Sequence, residues 1–191
     1  MSIKNKLKSI IRQSGYKIVN LNPRNDMWKL LSDLLTLKQV SVVCDIGANK
    51  GQFLTKFKNH IDSKIDGYVC FEPIEQSYKE LKSLIRSQKK YFKIEAHNIA
   101  LGHYSGTAEI NITPNLVSSS LMKPSDEFYE YMTTENTELD IVNIPIYRMD
   151  DYIEKDKSDI LKNKSANCFL KLDVQGFELN VLDGFGDFIE S

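Results

Sequence analysis

Apolar positions recur along the chain in two rhythms. Strand-length runs rich in apolar residues occupy 42–46, 67–71, 92–97 and 168–174, short enough and dense enough for strands buried on both faces. Between them the period lengthens. Residues 52–59 are amphipathic, and residues 74–88 place Tyr78, Leu81, Leu84 and Ile85 at helical spacing. Strand, helix, strand, helix, strand predicts an α/β domain with a doubly wound parallel sheet. After the fourth run, Gln175-Gly176 makes a turn and residues 177–182 open a further helix.

Two regions depart from that alternation. Residues 107–112 alternate apolar and polar like a half-buried strand, and residues 141–148 read as a second strand able to pair with them. The polar stretch 113–140 between them, with Ser118-Ser119-Ser120, Pro114 and Pro124, is long for a connection inside a compact domain, which points to a functional loop, a lid or disorder. Asp150-Asp151-Tyr152-Ile153 starts a short helix or turn, and residues 155–166 are charged and loop-like. At the other end, residues 3–13 set Ile3, Leu7, Ile10 and Ile11 against Lys4, Lys6, Lys8 and Arg12, a basic amphipathic segment closed by Gly15. It is short and free of aromatics, so docking on its own domain is expected rather than membrane contact. Asp26 is placed to cap a second helix over 27–37, whose stripe is Leu30, Leu31, Leu34, Leu35 and Leu37. The division expected is residues 1–38 as helices packing on a domain of residues 39–191.

Composition narrows the class. The 191 residues carry a net charge of -1 and are 41% hydrophobic, which suits one domain with a real core. Near-neutral charge supplies no general attraction to nucleic acid or anionic membrane. No run is apolar enough to span a bilayer, and no secretory signal is expected. Cys44, Cys70 and Cys168 each sit inside an apolar run, as small buried hydrophobes in a reducing compartment would, so a cytoplasmic location is expected. His60, His97 and His103 form no metal-ligand spacing with them. Asp45 and Asp173 alone are a weak pattern for a cation, and no metal is expected.

The chemistry concentrates at the strand ends. Val42-Val43-Cys44-Asp45-Ile46-Gly47-Ala48-Asn49-Lys50-Gly51 is an apolar strand, an acid, a glycine turn and a helix start. Ligands of open α/β sheets bind at such carboxyl ends. Glycines let the backbone approach a ligand, and the following helix N-terminus suits an anionic group. The dinucleotide fingerprint G-x-G-x-x-G would need glycine at 47, 49 and 52, but Asn49 and Gln52 stand at two of them, and the phosphate loop G-x-x-x-x-G-K-[ST] is absent. Asp-x-Gly-x-x-x-Gly remains. Glu72, closing the second strand, can accept hydrogen bonds from both hydroxyls of a ribose. Asp45 would face the cationic amino end of an amino-acid-bearing ligand, or else hold the amides of its own loop. Asp173, closing the fourth strand, shares the same edge.

Taken in order, Asp45-Ile-Gly-Ala-Asn-Lys-Gly51, Phe71-Glu72-Pro73, Asn98-Ile-Ala-Leu-Gly102, Ser119-Ser120-Leu121, Met149-Asp150-Asp151 and Leu170-Lys-Leu-Asp-Val-Gln-Gly-Phe-Glu178 resemble the FkbM-type methyltransferases. The resemblance runs over roughly residues 27–186, and its specific part is the closing segment with Val181-Leu182-Asp183-Gly184 behind it. One position departs: Gln175 stands where the family usually has Glu, removing a charge. The resemblance implies a Rossmann-like class I methyltransferase fold, a three-layer sandwich with parallel strands in order 3-2-1-4 and an extra antiparallel strand pair. It implies S-adenosylmethionine as methyl donor and O-methylation of a hydroxyl on a sugar, glycan or secondary metabolite. It assigns donor binding to Asp45, Gly47, Asn49, Gly51, Glu72 and Asn98, and catalysis to Asp173, Glu178 and Lys171. Asp173 is the leading candidate to face the transferring methyl, with His97 or His103 as other candidate bases. The bland reading of Lys171 and Asp173 is a structural ion pair.

Two other enzyme classes fit poorly. Methyltransferases acting on nucleic-acid bases typically carry Asn/Asp-Pro-Pro-aromatic where this chain has Asp-Val-Gln-Gly-Phe, and a nicotinamide enzyme would need the missing glycines. No nucleic-acid partner is expected. Class I sheets continue beyond the fourth strand, whereas residues 174–191 suffice for one helix. The expectation is therefore a truncated chain lacking the C-terminal strands, with an open sheet edge where a second copy could pair. The alternative reading is a catalytically inactive donor-binding or protein-interaction domain.

Overall fold

A computed structural model of the chain describes residues 23–61, 64–87, 92–112, 121, 140–155, 157–163 and 166–189. The basic segment 3–13 and nearly all of the polar connection 113–140, including Ser118, Ser119 and Ser120, lie outside the described residues.

The first described element is α1 (Pro23–Leu37). It begins earlier than residue 27, so Asp26 lies inside the helix and is not its cap. Proline suits a first helical position because its missing N–H has no partner there in any case. Of the expected leucine stripe only Leu35 is buried, beside Trp28, with Leu31 half-buried; Leu30, Leu34 and Leu37 are exposed. Trp28, Leu31 and Leu35 are spaced i, i+3, i+7, one helical face.

The central sheet comprises β1 (Val42–Ile46), β2 (Gly67–Phe71), β3 (Lys93–His97) and a fourth parallel strand, Cys168–Leu172. Between β1 and β2 runs α2 (Gln52–His60), and between β2 and β3 runs α3 (Glu75–Ser87). A second sheet follows: β4 (Ala100–Leu101), β5 (Gly106–Ile112) and β6 (Asp140–Tyr147), then α4 (Met149–Glu154). The Cys168–Leu172 strand is therefore β7, and α5 (Glu178–Asp183) and a 3-10 turn (Gly186–Ile189) come after it.

The parallel order is β3-β2-β1-β7, the 3-2-1-4 arrangement expected. Ile46 pairs with Phe71 on one side and Leu172 on the other, and Phe71 pairs with His97, so all four carboxyl ends finish at one level. β5 and β6 pair antiparallel, as expected; the two-residue β4, parallel to β6, was too short to show a period. Among the described residues β7 pairs with β1 alone.

Successive strand side chains point to opposite faces. Val42, Cys44, Ile46, Val69 and Phe71 pack against Ala108, Ile110, Ile144 and Ile146 of the second sheet and against α4 and α5. Val43, Tyr68 and Cys70 pack against Trp28 and Leu35 of α1, Leu54 and Phe57 of α2, and Leu81 and Ile85 of α3. The sheet is thus the middle of three layers, and Asp45, Glu72 and Lys171 take the parity of the helical face. No helix among the described residues is long and apolar enough to cross a membrane.

Candidate functional site

The loop after β1 is pinned to the end of β2: Gly47 N–H and Ala48 N–H both donate to Phe71 O at 3.0 Å. Gly47, Asn49 and Gly51 have φ of 75°, 48° and 85°. The two glycines serve the protein's own packing. A Cβ on Gly47 would stand 2.1 Å from Asp173 O, and one on Gly51 would stand 2.5 Å from Leu84 Cδ2. The loop can therefore press against β7 and α3 at once. Gly47 borders the cavity described below; Gly51 does not.

Glu72 is buried, yet its carboxylate is only half used. Oε2 accepts from Asn49 N–H at 2.8 Å and Oε1 from Ile74 N–H at 2.9 Å. A carboxylate offers about four lone-pair positions, so about two remain. Burial pushes its pKa up, while the two amides and Lys171 pull the other way. Beside it Asn49 Oδ1 is buried and has no hydrogen-bond partner among the described residues. Asn98 works at one remove: its Nδ2 donates to Glu72 O at 2.9 Å and Pro73 O at 3.0 Å, holding the backbone from which the Glu72 side chain projects.

Asp45 is placed differently from expectation. Its side chain is wholly buried and does not line the cavity, and among the described residues it takes no hydrogen bond from the loop amides. Oδ2 accepts from Tyr68 O–H at 2.9 Å, and Lys171 Nζ stands 2.9 Å from Oδ1. Burial raises the Asp45 pKa, opposed by Lys171 and Tyr68. Lys171 Nζ also donates to Gly47 O at 2.8 Å and lies 3.6 Å from Asp173 Oδ2. A lysine held by two carboxylates and a carbonyl is a charged strut. It has no lone pair to act as a base.

Asp173 has a side chain 57% exposed and borders the cavity. Its Oδ1 accepts from Gln175 Nε2 at 3.1 Å, a donation no carboxylate at position 175 could make. Glu178 is not brought to the cavity. Its Oε1 accepts from Val174 N–H at 3.3 Å and Gly176 N–H at 3.2 Å, which ties down the turn into α5. The histidines are elsewhere too. His97 Nδ1 lies 2.9 Å from Tyr152 Oη, its ring stacks on Phe71, and it does not line the cavity. His103 Nδ1 lies 2.9 Å from Asn180 Nδ2 near the surface.

The cavity above the strand ends measures about 440 Å³. That is within the usual range for small-molecule sites, roughly 300–1,000 Å³. Gly47, Asn49, Glu72, Lys171 and Asp173 form its polar side. Sequence reasoning missed other walls: Trp28 from α1, Gln52, Phe53 and Lys56 from α2, and Ile110 of the second sheet; Ile99 and Leu121, which also line it, fall within the motif stretches read in the sequence. The α2 group had a legible signal, since positions 52, 53 and 56 share one helical face directly after the loop.

The Methyltransferase FkbM domain is the family whose model matches this chain, over residues 45–191. Among solved structures, a methyltransferase FkbM from Methylobacillus flagellatus KT is similar at 20% identity and a TM-score of 0.49, covering 78% of this chain. The chain spans 30% of that protein's length. No curated protein matches the chain.

Proposed function

The chain belongs to the FkbM methyltransferase domain family, and from that premise we propose that it transfers a methyl group from S-adenosylmethionine to a hydroxyl of a sugar, glycan or secondary metabolite. The observation that carries the donor assignment is the pairing of Glu72 with Asn49. The two lone pairs that the Asn49 and Ile74 amides leave on the Glu72 carboxylate, which borders the cavity, suit the two ribose hydroxyls. A partly used carboxylate at a cavity wall favours a ligand rich in O–H and N–H groups.

When bound, the donor would supply an electrophilic methyl on a sulfonium: the acceptor oxygen would form the new C–O bond in line as the C–S bond breaks and S-adenosylhomocysteine leaves. The chain's part is positioning and proton removal. Asp173 is the carboxylate at the cavity edge with room to take the acceptor's hydroxyl proton, on the oxygen that Gln175 does not occupy. Lys171 positions it: the ammonium between Asp173 and Asp45 keeps Asp173 oriented and couples it to the Gly47 carbonyl. Trp28, Phe53, Ile99 and Leu121 give the cavity its apolar walls.

Calorimetry with S-adenosylhomocysteine tests the donor assignment. Glu72→Ala should weaken binding at least about tenfold, the worth of one or more charge-assisted hydrogen bonds. A thermal melt would confirm that the variant is folded. Wild-type protein that binds neither S-adenosylmethionine nor S-adenosylhomocysteine would overturn it. Transfer of labelled methyl to a panel of hydroxylated acceptors, with amine counterparts alongside, tests the O-methylation.

A further inference from the structure

Charge is unevenly matched around the cavity. Two ammonium groups line it. Lys171 is saturated, lying 2.9 Å from Asp45, 3.6 Å from Asp173 and 2.8 Å from Gly47 O. Lys56 is exposed on α2 and has no ion-pair partner among the described residues. Two other lysines differ in this respect: Lys50 of the loop pairs with Glu80 at 3.0 Å, and Lys79 of α3 with Glu75 at 3.1 Å. Gln52, one helical turn before Lys56, lines the cavity on the same face. The Trp28 and Phe53 rings, with centroids 5.4 Å apart, stiffen that wall.

The donor named above carries three charges: a sulfonium, an ammonium and a carboxylate. Glu72 and Asp173 attract the two cations and repel the anion. A carboxylate brought into a cavity needs a cation or strong donors to replace its water. Lys171 already has two carboxylates. Resting on the donor assignment, we infer that Lys56, with Gln52 beside it, receives the carboxylate of the donor's amino-acid end. This makes Lys56 a specificity-determining residue, distinguishing the intact donor from adenosine derivatives that lack the acid.

The test compares two probes: S-adenosylhomocysteine, and its decarboxylated form S-adenosyl-3-thiopropylamine, which keeps the ammonium and lacks the carboxylate. Lys56→Met should weaken S-adenosylhomocysteine about fivefold, the scale of a solvent-accessible ion pair. It should leave the decarboxylated probe unchanged, so the preference of the wild type for the acid collapses. Lys56→Arg should keep the preference. Added salt should erode it in the wild type and not in Lys56→Met. Equal loss for both probes, or no loss for either, overturns this inference and leaves the donor assignment standing. Absence of S-adenosylhomocysteine binding to the wild type overturns both.

Discussion

Gly47 carries a backbone demand that no other residue meets. Its φ of 75° is costly for any side chain, by roughly 1–2 kcal/mol, and its missing Cβ leaves room for Asp173 O. Gly47→Ala should therefore destabilise the fold by at least about 1–2 kcal/mol in urea titration and push the loop off β7. A variant as stable as wild type would show that the loop adapts freely. The glycine was legible in the sequence as a turn; its reason was not. Sequence reasoning gave it to a ligand; Gly47 does border the cavity, and the structure adds a close approach to Asp173 O just beyond β7. The two strand-end acids diverge in the same way. Asp45 and Glu72 each close an apolar run and share a face, yet Asp45 is spent on Tyr68 and Lys171 while Glu72 keeps lone pairs free. Tyr68 and Lys171 meet Asp45 only because β2 and β7 flank β1, which no local pattern states.

Elements were legible wherever their period was long and buried. β1, β2, α2 and α3 fall within a residue or two of expectation because each repeats its rhythm over several positions. α1 shows the limit. Its many leucines permit more than one stripe, and the face that packs was selected by Trp28 meeting Phe53 of α2 and the ring of His60. β4 shows another limit, since two residues hold no period. β7 has its own consequence. Paired with β1 alone among the described residues, it leaves alternate N–H groups without a ladder partner on its outer side. Hydrogen exchange should find the Cys168–Leu172 amides that point away from β1 exchanging much faster than those of β1 and β2. Uniform protection along β7 would mean that something covers that edge in solution.

At the scale of the whole molecule, His97, which joins the central sheet to α4 through Tyr152, makes stability depend on pH. Burial holds its imidazole below the ordinary histidine value of about 6.5, with Glu95 pulling the other way. The unfolded chain therefore binds the proton first as pH falls, so stability is complete above that value and declines as pH drops through it. Urea midpoints should fall between about pH 7.5 and pH 5.5, and His97→Gln should flatten that slope. An unchanged slope in the variant would assign the dependence to other groups. By itself the sequence determined most of the elements, the strand-end acids and the family resemblance, and through that resemblance the parallel order, because these rest on local periodicity and on motifs read in a line. Tertiary structure decided which acid keeps free lone pairs, which lysine is saturated and which walls enclose the cavity. Those depend on side chains from separate strands and helices meeting across the sheet, and burial there decides whether a charge is paired or left for a ligand.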